Sequence, residues 1–287
     1  MTEPPADAAE PGEGRGGGVG EGPLLLIVGL AGAATMVVEL GAVRVLAPWF
    51  GTSSSVWTNV IGVVLAALAL GYALGARLAV GAHPQRRLGA VLIVAGLLSA
   101  ALLLAARPVA DLLMPSGVPL HRAAGVLVWG SLACAAVLFL PAATALGCAG
   151  PLAVEALQRR RGGAAGAAGG RVLAASTVGS LVGTFGTTHW AIPTMGIAAT
   201  YVLASLSLLG VGCLLVLRAG RPGTTGAAAA GATALLCAVA LGTDAARRPH
   251  SGEGTLLAAA ESPMQSIRAV EVTGSGGDRM RVLRVNE

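Results

Sequence analysis

Apolar residues fall in long continuous runs, at 24–46, 56–80, 88–106, 123–147, 172–192, 197–217 and 226–241. An α-helix needs about 20 mostly apolar residues to cross a bilayer core, and the runs match or approach that length. The pattern predicts seven membrane-spanning helices. The last run is short, Ala-rich and poor in Leu and Ile, so six is the alternative count. Near Thr243 the character changes. Strands are predicted at 265–272 and 279–285, around the turn-rich Thr-Gly-Ser-Gly-Gly-Asp.

These boundaries predict four regions. Residues 1–22 are Gly-, Pro- and Glu-rich with the single Arg15, which predicts a disordered acidic tail. Residues 23–242 form the transmembrane domain, 243–260 a linker, and 261–287 the opening β-hairpin of a soluble domain truncated at Glu287. The acidic tail lacks the positive region of a secretory leader, so the run from Leu24 reads as a first membrane helix.

Composition sharpens the class. With 54% hydrophobic and 11% charged residues and a mean hydropathy of +0.75, the chain lies outside the range of soluble globules. Aromatics make up only 3%, and Gly, Ala, Leu and Val carry the apolarity. The expected fold is therefore an all-α polytopic membrane helix bundle whose helices approach through small residues, not a barrel with aromatic girdles. Cys134, Cys148, Cys213 and Cys237 sit in or beside apolar runs at no metal-ligand spacing and read as small buried hydrophobes.

Every basic side chain is arginine, clustered at Arg77, Arg86 and Arg87, at Arg159 to Arg161 with Arg171, and at Arg218 with Arg221. These clusters occupy alternate loops. The positive-inside rule places those loops and the N-terminus in the cytoplasm, for a multi-pass protein of the cell (inner) membrane. With seven spans the C-terminal tail falls outside. The pI of 9.7 thus reads as topology, and no basic patch interleaved with aromatics points to nucleic acid.

Within the spans, Glu39 and Arg44 are the charged candidates for an intramembrane functional site, since an isolated charge there is costly. Their spacing of five is imperfect for a helical pair, and Pro48 marks a helix about to end. Snorkelling to the headgroups is the competing reading. Gly71 with Gly75, and Gly179 with Gly183, form small-xxx-small patterns for helix packing. Pro141 predicts a kink and Pro193 a stop. His121 and His189 stand alone, so no metal is assigned, and no phosphate loop, serine elbow or zinc helix is present.

Three stretches together carry a family likeness. Glu39-Leu-Gly-Ala-Val-Arg44-Val-Leu-Ala-Pro-Trp-Phe-Gly51-Thr-Ser-Ser-Ser-Val-Trp57 with Gly71-Tyr-Ala-Leu-Gly75-Ala-Arg77 is the first. The second is Arg171 through Gly186 with Ile192-Pro193-Thr-Met-Gly196, and the third runs from Glu261-Ser-Pro-Met-Gln265 to Asn286-Glu287. They resemble the spermidine synthase-like membrane proteins, in which a multi-span domain is fused to an aminopropyltransferase domain.

The resemblance implies a membrane domain joined to the first hairpin of a synthase. It also implies that Gln265 matches a glutamine helping to hold the nucleoside cosubstrate, decarboxylated S-adenosylmethionine, although Met264 stands where the family has tyrosine. The family's catalytic acids have no counterpart in residues 1–287, so no catalytic residue is assigned and the chain alone is not expected to transfer an aminopropyl group. The implied partners are the lipid bilayer and a separately encoded synthase core. The runner-up reading is a small-solute transporter using Glu39 and Arg44.

Overall fold

The computed structural model describes residues 19–113, 120–162, 164–219, 255–261, 266–273 and 279–285, with residues 231 and 238. Among them are the helices α1 (Glu21–Phe50), α2 (Ser54–Ala79), α3 (Pro84–Leu113), α4 (Leu120–Arg161), α5 (Ala165–Gly186) and α6 (Ile192–Arg218). A π-helical turn, Thr187–Ala191, joins the last two. This is a multi-pass membrane protein built of helices.

Local chemistry sets several boundaries. The Ser53 side chain accepts from the Val56 amide to begin α2, as an N-cap hydroxyl does. Helix α1 runs through Pro48 and stops at Gly51, whose φ of 70° is open to glycine and whose amide still reaches the Ala47 carbonyl. Gly162, at φ 63°, closes α4 by donating to the Gln158 carbonyl. Helix α4 is far longer than the run at 123–147 predicted, because it continues through Pro141 and Pro151 to Arg161. Beyond Pro151 the helix stays seated: Leu152, Ala153, Ala156 and Leu157 are at most 1% exposed. Their burial outweighs the amide hydrogen bond that proline cannot make.

Three close pairings organise the bundle. Helices α2 and α4 run parallel, since Asn59 bonds to Val128 and Ser131 at one end while Arg159 reaches the Ala82 carbonyl at the other. Helices α3 and α6 run antiparallel, with Gly89 against Gly212 and Gly96 against Ser205. Helices α1 and α5 run parallel, with Gly29 against Gly179 and Ala33 against Gly183. The starts of α1 and α3 meet through Val19 and Gln85, and their ends through Trp49 and Asp111. It follows that α5 and α6 run in opposite directions.

The reversal sits at Gly196, with φ 79° and ψ 170°. Pro193, expected to stop the fifth span, instead lies within the helical run, since Ala191 and Ile192 before it keep helical angles and the chain turns only three residues later. Among the described residues, five helical segments are long and apolar enough to cross a membrane, at mean hydropathies of 2.0 to 2.6, where seven spans were expected of the whole chain. The fifth, Ala165–Arg218, contains both α5 and α6. The expected seventh span, 226–241, lies outside the described residues apart from positions 231 and 238.

Beyond the bundle, β1 (Thr255–Glu261), β2 (Ser266–Thr273) and β3 (Arg279–Val285) form an antiparallel sheet in that order. Ile267 pairs with Val285 and Thr273 with Arg279, and a register shift between Leu256 and Ala258 bends β1. Most of β1 falls in the stretch 243–260 read as linker. Its Leu-Leu-Ala-Ala-Ala core has weak strand preference, and pairing with β2 supplies the order.

Candidate functional site

Glu39 and Arg44 are both half-buried on α1. Five positions of α-helix separate them by about 7.5 Å along the axis and roughly 140° around it. The α1 turn between them is clamped by α6. Tyr201 is completely buried, its hydroxyl donates to the Val38 carbonyl at 2.9 Å, and its ring occupies the space a side chain at Gly41 would need.

The four packing glycines lie at helix crossings. A β-carbon at Gly75 would stand 2.7 Å from the Cys148 Cα, and one at Gly71 would collide with the Thr144 carbonyl of α4. At Gly183 it would stand 2.6 Å from the Ala33 Cα, and at Gly179 it would collide with the Gly29 backbone of α1. Each pair therefore serves a different partner helix, α4 for the first and α1 for the second.

The clustered arginines and the tryptophans sort to opposite ends, while Arg44, Arg107 and Arg122 lie toward the tryptophan end. Near the start of α1, Glu21 bridges Arg161 of α4, at 2.7 Å, and Arg171 of α5. Arg160 donates to the Val19 carbonyl at 2.8 Å and Arg87 to the Leu78 carbonyl. Arg87, from the start of α3, thus complements a carbonyl in the last turn of α2, and Arg159 to Arg161 stand at the negative end of the α4 dipole. Arg77, Arg86 and Arg218 belong to the same end by their places on α2, α3 and α6.

All four tryptophans of the chain lie toward the other end: Trp49, Trp57, Trp129 and Trp190. Trp129 and Trp190 are 70% and 61% exposed, as rings facing a membrane interface would be. The Trp49 indole donates to Asp111 at 2.7 Å, and Asp111 pairs with Arg107 one helical turn earlier. His189, in the π-helical turn, stacks on Phe185 with ring centroids 6.0 Å apart.

A groove of about 720 Å³ opens between α1 and α5. Leu25, Leu26, Leu30, Val178 and Val182 line it, Gly29 and Gly179 make its floor, and Arg171 stands at its mouth. Its lining includes neither Glu39 nor Arg44. A second recess of about 440 Å³ lies beside Arg161, bordered by Gln158 and Ala164.

Among the described residues no three His, Cys, Asp or Glu side chains gather as metal ligands. Cys134 and Cys148 are buried free thiols. Gln265, Met264, Cys237 and the side chain of His121 lie outside the described residues. Sequence reasoning missed the Glu21 clasp, the groove at Arg171 and the role of Tyr201. The first carried a signal, an acidic residue opening a span on the side assigned to the arginine loops. Tyr201, one aromatic in an apolar run, carried none. Comparison with known proteins finds no matching family model, no matching curated protein and no matching solved structure.

Proposed function

We propose that this chain is the membrane domain of a spermidine synthase-like protein, serving as the membrane anchor or polyamine-linked module for an aminopropyltransferase core. The observation that carries the reading is the order of parts, a helical membrane bundle followed by an antiparallel sheet at 255–285. The resembled family has the same order. The arginine-rich end faces the cytoplasm of the inner membrane, with the N-terminus, as the positive-inside rule directs. Residues 261–287 then open the synthase domain, and Gln265 contributes to the site for decarboxylated S-adenosylmethionine once a core is supplied.

The purified chain is incubated with decarboxylated S-adenosylmethionine and putrescine, alone and with a separately expressed synthase core. Positioning two substrates and deprotonating an amine require groups within about 3 Å of the reacting atoms, and the resembled family's catalytic acids have no counterpart in residues 1–287. No spermidine is expected from the chain alone. The core should bind it and protect residues 255–285 from proteolysis. Failure of both binding and protection rejects the reading, as does spermidine made by the chain alone and abolished by a mutation within it.

A second reading, a small-solute transporter, is favoured by the half-burial of Glu39 and Arg44 in an apolar helix. Solute uptake by reconstituted vesicles, lost in Glu39→Gln, would replace the anchor reading with this one.

A further inference from the structure

We propose that the α1/α5 groove is a binding site for an anionic phospholipid, with one acyl chain in the groove and the phosphate at Arg161 and Arg171. The inference rests on the membrane placement of α1 and α5 and is independent of the synthase reading.

The dimensions favour a lipid chain. On α1 the lining extends from Gly22 to Ala33, about 16 Å of helix at 1.5 Å per residue. Half of a hydrocarbon core of about 30 Å is about 15 Å. The groove thus runs the depth of one leaflet and ends near mid-membrane, whereas a partner helix would cross both leaflets. Its walls are aliphatic, and its depth comes from the close approach of Gly29 and Gly179, which carry no side chain to fill it.

The charge at the mouth selects the headgroup. Arg171 stands at the mouth, and Glu21 bridges it to Arg161. Two cations against one carboxylate leave the rim positive. Each guanidinium also has donors beyond those Glu21 takes, in the fork geometry suited to phosphate oxygens. The recess beside Arg161 gives a phosphate room next to one of the two clasp arginines. Basic pockets between membrane helices on the cytoplasmic side are the expected setting for anionic headgroups.

Retention of phosphatidylglycerol and of phosphatidylcholine with identical chains is measured on the purified full chain by native mass spectrometry. The anionic lipid should be retained preferentially. Arg161→Gln and Arg171→Gln should each reduce that preference about fivefold. Ala174→Phe, at an exposed position in the groove wall, should reduce retention of both lipids. Glu21→Gln should raise the anionic preference, because it frees two arginines for phosphate. A purely structural clasp would move it the other way.

Equal retention of the two lipids overturns the proposal, as does a lowered preference in Glu21→Gln. Displacement of phosphatidylglycerol by inorganic phosphate alone would instead mark an ion site with no chain subsite and also overturn it. Should the arginine variants fail to fold, Ala174→Phe and Glu21→Gln still decide the matter.

Discussion

The hydroxyl of Tyr201 donates to the Val38 carbonyl across the α1–α6 interface, with its ring seated over Gly41. The contact separates two contributions that usually travel together. The hydrogen bond between membrane helices is worth about 0.6 kcal/mol on average and up to about 1.7. Removing a buried aromatic ring costs roughly 3–5 kcal/mol. Tyr201→Phe should therefore be mild and Tyr201→Ala severe, as read by unfolding in mixed detergent and SDS. Gly41→Val should approach the severe case by driving the ring out. A Phe variant as unstable as the Ala variant would show that the hydroxyl dominates.

Helix α2 provides a test of packing within one element. A side chain at Gly62 would meet nothing within 4 Å, whereas one at Gly75 would press on the Cys148 backbone of α4. Helix propensity alone favours alanine over glycine by about 1 kcal/mol at either site. Gly62→Ala should accordingly be neutral or stabilising. Gly75→Ala should destabilise by about 1–3 kcal/mol through overpacking against backbone that cannot yield. Similar melting shifts for the two would mean that α2 and α4 do not meet at Gly75.

Glu39→Gln and Arg44→Gln should be coupled. One unpaired charge near the bilayer is dearer than two near each other, so the double variant should lose less folded yield than the two losses summed. Additive losses would favour snorkelling of each side chain on its own.

The segregation of the arginine clusters from the tryptophans makes the orientation measurable. In a variant lacking Cys134, Cys148, Cys213 and Cys237, Thr52→Cys should react with a membrane-impermeant maleimide added to intact cells. His83→Cys and Gly166→Cys, on the arginine side, should react only after permeabilisation. Strong external labelling at either would invert the topology.

Hydropathy was plain to read along the chain, because crossing a bilayer constrains every residue of a helix at once. The starts of α1, α2 and α3 fall within four residues of the runs beginning at 24, 56 and 88. The end of α4 was hidden. Pro151 and Glu155 break the apolar run, yet the next turns are held by burial of Leu152 and Leu157, a tertiary effect no local window contains. The sequence puts the end of the fifth span at Pro193, whereas Gly196 makes the reversal, for only glycine adopts that backbone angle freely. Most of β1 reads as linker in the sequence because alanine is a poor strand former until a neighbour pairs with it. The glycine motifs were visible at Gly71, Gly75, Gly179 and Gly183, but which helix each would face depends on the three-dimensional arrangement of the bundle.

The parallel pairing of α1 with α5 has a consequence for how the chain is made. Arg171 lies 150 positions after the Glu21 it binds, whereas Asn59 and Ser131, joining α2 to α4, are 72 apart. At a synthesis rate of roughly 5–20 residues per second, those 150 positions take about 8–30 s on the ribosome. The first helix thus enters the bilayer well before its partner exists, with its glycine face open to lipid. The α2–α4 pair can close while the ribosome is still at work, but α1 must wait beside the insertion machinery for α5 to emerge.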